Sequence, residues 1–189
     1  MQERFEGLRL ERQGSAESDL KLGELIIYIS STFECGAVQL NKTLWYSDIF
    51  SFADHGEAIT GAQYMKEARG PVPVRLVPVR EKLQEDRDIA ILYERVFKFN
   101  RHRIVALREP NLDLFRARDI ATVDSVINAL RDRTAAEVSA LSHKRAWEIA
   151  GDGEIIPYEA VFLSDAGVST GDIAEARKLI EIHGWEDVL

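Results

Sequence analysis

The sequence contains a single cysteine, Cys35, among 189 residues. One cysteine excludes an intrachain disulfide and a metal site built from several cysteines. No stretch approaches the roughly 18 consecutive apolar residues that a membrane span requires. The opening residues, MQERFEGLRLERQGSAES, lack the apolar segment of a secretory signal. These absences predict a cytoplasmic protein that has no membrane partner.

Signatures of catalysis and of cofactor binding are also missing. The sequence has no GxxxxGK[ST] motif, and the stretch GDGEI lacks the third glycine of a dinucleotide-binding loop. The four histidines are scattered without the spacing of a metal site. Ser142 and His143 are neighbours that point about 100° apart on a helix, so they cannot meet as a catalytic pair. We therefore predict no enzymatic activity, no metal and no cofactor.

The charge is acidic overall but unevenly distributed. The net charge is −8, yet the segment from Arg69 to Arg108 has ten basic and five acidic residues, which leaves −13 on the rest of the chain. An acidic body disfavours nucleic acid as a partner. The basic segment fits either a solvated hairpin or a surface that faces an acidic partner.

The first periodic segment follows a leader, residues 1–17, that shows no sustained pattern and is predicted to be flexible. From Ser18 onward, apolar residues recur at helical spacing, and this predicts an amphipathic helix that ends at Gly36. The residues of this face are Leu22, Leu25, Ile26, Ile29 and Phe33. Residues 18–189 are predicted to form one domain.

A second helix is predicted from about Asn41 to Asp54. It is apolar around most of its circumference, which is typical of a buried, central helix. Its polar positions form one narrow stripe made of Thr43, Ser47, Ser51 and Asp54.

The rest of the chain adds short helices and one hairpin. Helical patterns occupy residues 74–87, 118–133 and 169–184, and Thr134 with Glu137 forms a capping box that begins another helix. Aromatic and β-branched residues on either side of a polar NRHR predict a β-hairpin at 92–108. The predicted fold is mainly α: a compact, single-domain helical bundle with one small β-hairpin.

The stretch AITGAQYMKEARGPVP, residues 58–73, is the Gly/Pro loop. Its glycines, Gly61 and Gly70, supply backbone angles that other residues rarely hold, and its prolines stiffen it. Asp48 lies off the polar stripe of the second helix, so it is expected to be buried and must find hydrogen-bond donors. The nearest candidates are the Thr60–Gly61 turn and Arg69. We predict that Asp48 anchors this loop rather than acting as a catalytic acid.

The order of these motifs resembles the Panacea domain of SocA-like antitoxins, which is also found in phage-associated GepA-like proteins. The resemblance covers residues 18–165 and departs from the usual pattern at Thr43 and Trp45, where the family usually has Leu and Tyr. The matching residues are Lys42-Thr43-Leu44-Trp45-Tyr46-Ser47-Asp48, Phe52, Gly56, Ile59-Thr60-Gly61, Tyr64, Gly70-Pro71-Val72-Pro73, Leu141-Ser142-His143, Ala146-Trp147 and Pro157-Tyr158-Glu159.

This resemblance implies a helical, non-enzymatic domain of a toxin–antitoxin system. Such a domain would neutralise a protein toxin, encoded by an adjacent gene, through direct protein–protein contact. Interface cores favour aromatic and apolar anchors, so exposed members of the motif-rich region are predicted to bind the partner. These residues are Tyr64, Met65, Arg69, Pro71, Pro73 and His143. Structural roles are predicted for Asp48, Gly61, Gly70 and Trp147.

Three other functions remain open on sequence grounds. The first is binding of single-stranded nucleic acid by the hairpin 92–108, whose aromatic rings would stack on bases. The second is a hydrolase that uses Asp48 and His143, and the third is an accessory protein of a phage or mobile element. The hairpin residues concerned are Tyr93, Phe97, Lys98, Phe99, Arg101, His102 and Arg103.

Overall fold

The computed structural model of the chain describes residues 15–96, 99–141 and 145–162. Within these ranges the protein is mainly α with small antiparallel sheets, as predicted. The helices are α1 (Ala16–Thr32), α2 (Ala37–His55), α3 (Leu76–Glu85), α4 (Ala117–Leu130), α5 (Ala135–Leu141) and α6 (Arg145–Ile149), with 3-10 helices at Leu112–Leu114 and Tyr158–Phe162. The strands are β1 (Tyr64–Met65), β2 (Val72–Pro73), β3 (Ile89–Val96), β4 (Phe99–Ala106) and β5 (Ile155–Ile156). The predicted helix at 169–184 and residues 1–14 of the leader lie outside the described residues.

The first helix, α1, is shifted towards the N-terminus relative to the prediction. The Ser15 hydroxyl caps it by accepting a hydrogen bond from the Ser18 N–H at 3.0 Å, so the helix begins inside the predicted leader. It ends at Thr32 rather than at Gly36, because Phe33 is extended. Four residues of the predicted apolar face, Leu22, Leu25, Ile26 and Ile29, are buried as the periodicity predicts, whereas Phe33 follows the helix and is partly buried.

The second helix, α2, is central, and its burial confirms the prediction from its apolar pattern. Contacts with α1, α4, α5 and β2 surround it. Most of its polar stripe is buried too. The Thr43 hydroxyl donates to the Gln39 carbonyl, and the Ser51 hydroxyl donates to the Glu57 carbonyl, so these two hydroxyls are satisfied inside the protein. The Ser47 hydroxyl of the same stripe is buried without a hydrogen-bond partner among the described residues. Gly56, in the left-handed conformation with φ 72°, ends the helix.

The Gly/Pro loop contains a small sheet that the sequence did not predict. Strand β1 lies between β2 and β5, and both pairings are antiparallel. Tyr64 pairs with Pro73 on one side and with Ile156 on the other. Strands of two residues are too short to show an alternating pattern, which is why sequence periodicity missed them.

The predicted β-hairpin is present as β3 and β4, in register from Ile89 opposite Ala106 to Val96 opposite Phe99. The buried side chains of Ile89 and Ile104 join the same hydrophobic core as α1 and α2. At its base, Arg108 donates to Glu24 of α1 at 2.6 Å.

The remaining helices agree with their sequence signals. Pro78 lies in the first turn of α3, where the missing N–H of proline has no helical partner to lose. The capping box before α5 forms as predicted: the Thr134 N–H donates to the Glu137 carboxylate at 2.7 Å, and the Glu137 N–H donates to the Thr134 hydroxyl. Every helix in the described part of the chain is too short or too polar to cross a bilayer.

Candidate functional site

The Gly/Pro loop is fastened to the central helix by Asp48. The carboxylate accepts hydrogen bonds from the Thr60 N–H at 2.7 Å, from the Thr60 hydroxyl, and from the Tyr64 hydroxyl at 2.7 Å. The hydrogen bonds predicted from the Thr60–Gly61 turn are therefore present. The other candidate donor, Arg69, is exposed and forms no hydrogen bond with Asp48.

Burial dominates the electrostatics of this anchor. Asp48 has no exposed surface, and its burial raises its pKa, while the hydrogen bonds that it accepts oppose this shift. Burial and the neighbouring Asp48 carboxylate also raise the pKa of Tyr64 well above its usual value. A general acid must reach its substrate, and this carboxyl group is enclosed. The geometry suits a structural brace.

Three residues that were predicted to be exposed partner contacts are buried, so that expectation is wrong for Tyr64, Pro71 and Pro73. Successive side chains of a strand point to opposite faces, so β1 directs Tyr64 into the core and leaves Met65 half-buried. The Tyr64 ring packs edge-on against Trp45 with the ring centroids 5.0 Å apart.

The longest exposed stretch of the loop is its tip, residues Glu67, Ala68 and Arg69. The tip is a tight turn in which the Gly70 N–H donates to the Glu67 carbonyl at 2.8 Å. Gly70 has φ 96° and Gly61 has φ 65°, so both occupy backbone conformations that favour glycine.

Hydrogen bonds from the helices behind the tip hold its backbone. The Trp147 indole N–H donates to the Glu67 carbonyl at 3.0 Å, and the Ser139 hydroxyl donates to the Arg69 carbonyl at 3.1 Å. The neighbouring Lys66 ammonium donates to the Ala150 carbonyl at 2.8 Å and lies 4.3 Å from the centre of the Trp147 ring. The tip is thus both exposed and fixed in place. The sixth predicted partner contact, His143, lies outside the described residues.

Lys42, for which the sequence predicted no separate role, is buried on α2. Its side chain is 1% exposed, and its ammonium donates to the Pro71 carbonyl at 3.0 Å. Burial lowers its pKa to about 7. No carboxylate among the described residues forms an ion pair with it. One sequence feature could have indicated this burial: Lys42 is the single lysine of a helix whose apolar pattern predicts that most of its circumference is buried.

A cleft of about 320 Å³ lies between the first turns of α2 and the tip, and we call it the tip cleft. Gly36, the residue before α2, offers no capping side chain, and the first turn of the helix carries no acidic residue. The Asn41 Oδ1 atom is buried without a hydrogen-bond partner in the described structure. The lining residues are Ala37, Val38, Asn41, Lys42, Glu67, Ala68, Arg69 and Val72.

The β3–β4 hairpin presents less free positive charge than its sequence suggests. Arg103 donates to the Glu34 carboxylate at 2.5 Å. Tyr93 is exposed, and its ring packs edge-on against His102 at 4.7 Å. Phe97 and Lys98 lie outside the described residues, and Phe99 and Arg101 are described in their backbone alone. Over 15–96, 99–141 and 145–162, no three histidine, cysteine or acidic side chains are grouped to hold a metal ion.

Comparison with known proteins gives one family. A family model described as "Antitoxin SocA-like, Panacea domain" matches residues 40–148, which is more than half of the chain. The matched segment includes Asp48, Lys42, the Gly/Pro loop and the Ser139 and Trp147 donors that hold the tip. No curated protein and no solved structure matches the chain.

Proposed function

The chain belongs to the SocA-like antitoxin family with a Panacea domain, and on that premise we propose that it neutralises a protein toxin by direct contact. The observation that supports this proposal most strongly is the match of the family model to residues 40–148. The toxin is the product of an adjacent gene, the two proteins form a toxin–antitoxin system, and they meet in the cytoplasm. Blocking a toxin by binding to it requires no catalytic group. The chain is therefore proposed to act without enzymatic chemistry.

The tip of the Gly/Pro loop supplies a contact surface that fits this role. It is exposed, and hydrogen bonds from α5 and α6 fix its backbone. A surface that is rigid before docking loses little conformational entropy when it binds. Arg69 at the tip and the half-buried Met65 beside it are of the residue types that are enriched at interfaces.

The buried residues of the same loop support that surface from beneath. Tyr64 ties β1 to Asp48, Pro73 pairs with Tyr64 in the sheet, and the Pro71 carbonyl receives the Lys42 ammonium. We propose that Tyr64, Pro71 and Pro73 do not contact the partner and instead hold the tip in the conformation that the partner binds. His143 remains a proposed contact.

Growth rescue tests the proposal. The product of each adjacent gene is expressed in a host cell with and without the full chain, and restored growth is the expected result for one of them. Arg69→Glu reverses an exposed charge at the tip and should abolish rescue without lowering the thermal midpoint. Lys82→Glu, the matched control, reverses an exposed charge on α3 and should rescue like the wild type. Absence of rescue against every neighbouring product would refute the proposal.

A further inference from the structure

The β3–β4 hairpin has one open edge, which is the outer edge of β3. Among the described residues, the sheet of this hairpin has two strands. On the β4 side, Arg103 forms a β-bridge with Gly36, and its guanidinium donates to the Glu34 carboxylate, so the segment after α1 covers part of that edge. No described residue forms a β-bridge with the outer edge of β3.

The hydrogen-bond register shows which backbone groups of β3 face outward. Asp88 and Leu107 lie opposite each other at the base of the hairpin, and the Leu107 N–H donates to the Asp88 carbonyl at 2.8 Å. In an antiparallel pair, hydrogen-bonded and non-hydrogen-bonded positions alternate along the strand. The even-numbered residues of β3 therefore direct their N–H and C=O groups towards β4. The odd-numbered residues, which include Ile91 and Tyr93, direct theirs outward.

β3 lacks the features that usually protect an edge strand from pairing with another chain. Protected edges are very short, are interrupted by a proline or a bulge, or are rich in lysine. β3 is eight residues long, contains no proline and no lysine, and pairs with β4 residue by residue without a bulge. Six of its eight residues are apolar, and Leu92 and Tyr93 are 42% and 76% exposed. This edge is suited to accept a further strand.

The charge of the hairpin indicates which kind of strand the edge accepts. Residues 89–106 contain four basic residues and one acidic residue. Opposite charges on neighbouring strands stabilise their pairing, and like charges destabilise it. A second copy of this chain would bring two positively charged hairpins together, so charge disfavours a symmetric dimer at this edge. An extended segment with acidic side chains would be stabilised instead.

The acidic charge on the rest of the chain does not prevent this contact. The chain outside Arg69–Arg108 carries −13, but exposed charges more than about 8 Å apart are largely screened at physiological ionic strength. A strand paired with β3 lies about 4.8 Å from it, so its carboxylates interact more strongly with the hairpin than with the rest of the protein. A polynucleotide, in contrast, extends beyond the hairpin and carries a charge at every phosphate.

We propose that the outer edge of β3 receives an extended, acidic segment of a partner protein, which pairs with it as a third strand. The outward N–H and C=O groups of β3 bind the backbone of this segment, and the positive charge of the hairpin selects acidic side chains. Leu92 and Tyr93 lie on opposite faces of the sheet, so the added strand has an apolar neighbour on each face. The edge contains none of the tip residues. The inference therefore goes beyond the proposed function and does not require that the partner be a toxin.

Residue-resolved amide hydrogen exchange of the full chain, measured by NMR, tests this edge directly. In the free chain, the outward N–H groups of Ile91 and Tyr93 should exchange about tenfold faster than those of Ala90 and Leu92, which are bonded to β4. The probe is an acetylated and amidated acidic peptide, TEVEVET, and its lysine counterpart TKVKVKT is the control. The acidic peptide should slow exchange at Ile91 and Tyr93 about tenfold, and the lysine peptide should leave it unchanged.

Two variants at one position separate backbone pairing from side-chain contact. Tyr93→Pro removes an outward N–H and no hydrogen bond to β4, a change that edge strands tolerate, and it should abolish binding of TEVEVET. Tyr93→Ala keeps the N–H and removes the ring, so its affinity should stay within about fivefold of the wild type. Isothermal titration calorimetry measures both. Exchange in the wild type keeps the test decisive even if the proline variant loses the hairpin.

Four results would overturn the inference. Equal binding of the acidic and lysine peptides would remove the acidic partner, and unchanged binding of TEVEVET by Tyr93→Pro would place the peptide elsewhere. Slow exchange at Ile91 and Tyr93 in the free, monomeric chain would mean that another part of the same chain already covers the edge. Dimerisation of the wild type that Tyr93→Pro abolishes, measured by analytical ultracentrifugation, would assign the edge to a second copy.

Discussion

The Tyr64 hydroxyl donates to the Asp48 carboxylate across 2.7 Å, and both side chains are buried. This hydrogen bond joins the middle strand of the small sheet to the central helix. Thr60 joins the same carboxylate through its N–H and its hydroxyl, so one side chain of α2 fixes both the start of the Gly/Pro loop and its first strand.

Tyr64→Phe tests the contribution of the tyrosine hydroxyl to stability. The substitution keeps the ring in contact with Trp45 and removes one donor from a buried carboxyl group. We expect the free energy of unfolding to fall by about 1–3 kcal/mol, the usual cost of leaving a buried polar group unsatisfied. Urea denaturation measures it, and Tyr93→Phe, at an exposed tyrosine, is the control. Equal unfolding midpoints for Tyr64→Phe and the wild type would show that the hydrogen bond is not stabilising.

Asp48→Ala should release the Gly/Pro loop. It leaves the Thr60 and Tyr64 donors without their acceptor, and we expect a loss of about 1–3 kcal/mol in the free energy of unfolding. Amide hydrogen exchange should accelerate across residues 59–72 more than in α4. Asp54→Ala removes an exposed carboxylate from the same helix and should change neither quantity. Wild-type exchange across 59–72 in the Asp48 variant would contradict the brace.

Lys42 should make stability depend on pH in the neutral to alkaline range. Its folded-state pKa, about 7, lies below the ordinary value of 10.5, so between these values the unfolded chain binds more protons. Stability from this residue is therefore greatest above about pH 10.5 and declines as the pH falls towards 7.

Lys42→Met removes this titration. Relative to the wild type, the methionine variant should be most stabilised at pH 6, and this advantage should shrink by about 3–5 kcal/mol up to pH 10. Chemical denaturation of both proteins across this pH range measures the difference. A difference that is constant with pH would mean that Lys42 titrates near its ordinary value.

The β3–β4 hairpin is expected not to bind single-stranded nucleic acid. Arg103 is engaged with Glu34, and the chain outside Arg69–Arg108 carries −13, which repels a polyanion. An electrophoretic mobility assay at low salt should show no retardation of a single-stranded oligonucleotide. Retardation that weakens steeply with added salt, and that is lost in Tyr93→Ala, would restore the nucleic-acid hypothesis.

The sequence predicted the features that depend on local pattern. The all-round apolar character of α2 predicted its central position, and Thr134 with Glu137 marked the start of α5. Asp48 was predicted to accept hydrogen bonds from the Thr60–Gly61 turn, because a carboxylate among apolar neighbours must be hydrogen-bonded.

Features that depend on contacts between distant segments escaped prediction. Tyr64 is buried because β5, about 90 residues further along the chain, completes its sheet. Lys42 is buried on α2, and its ammonium donates to the Pro71 carbonyl, 29 residues further along the chain. A strand of two residues has no periodicity that could predict the burial of Tyr64, and lysine is usually solvated, so the residue type of Lys42 did not indicate burial.

Direct isolation of a complex is the most decisive measurement of the proposed function. The full chain, carrying an affinity tag, is co-expressed with the toxic product of an adjacent gene and purified by affinity and size-exclusion chromatography. We expect one stable peak that contains both proteins in a fixed ratio and has no toxin activity. Arg69→Glu should prevent formation of this complex, whereas Lys82→Glu should preserve it. A toxin that is neutralised in cells yet never co-purifies with the chain would contradict neutralisation by direct contact.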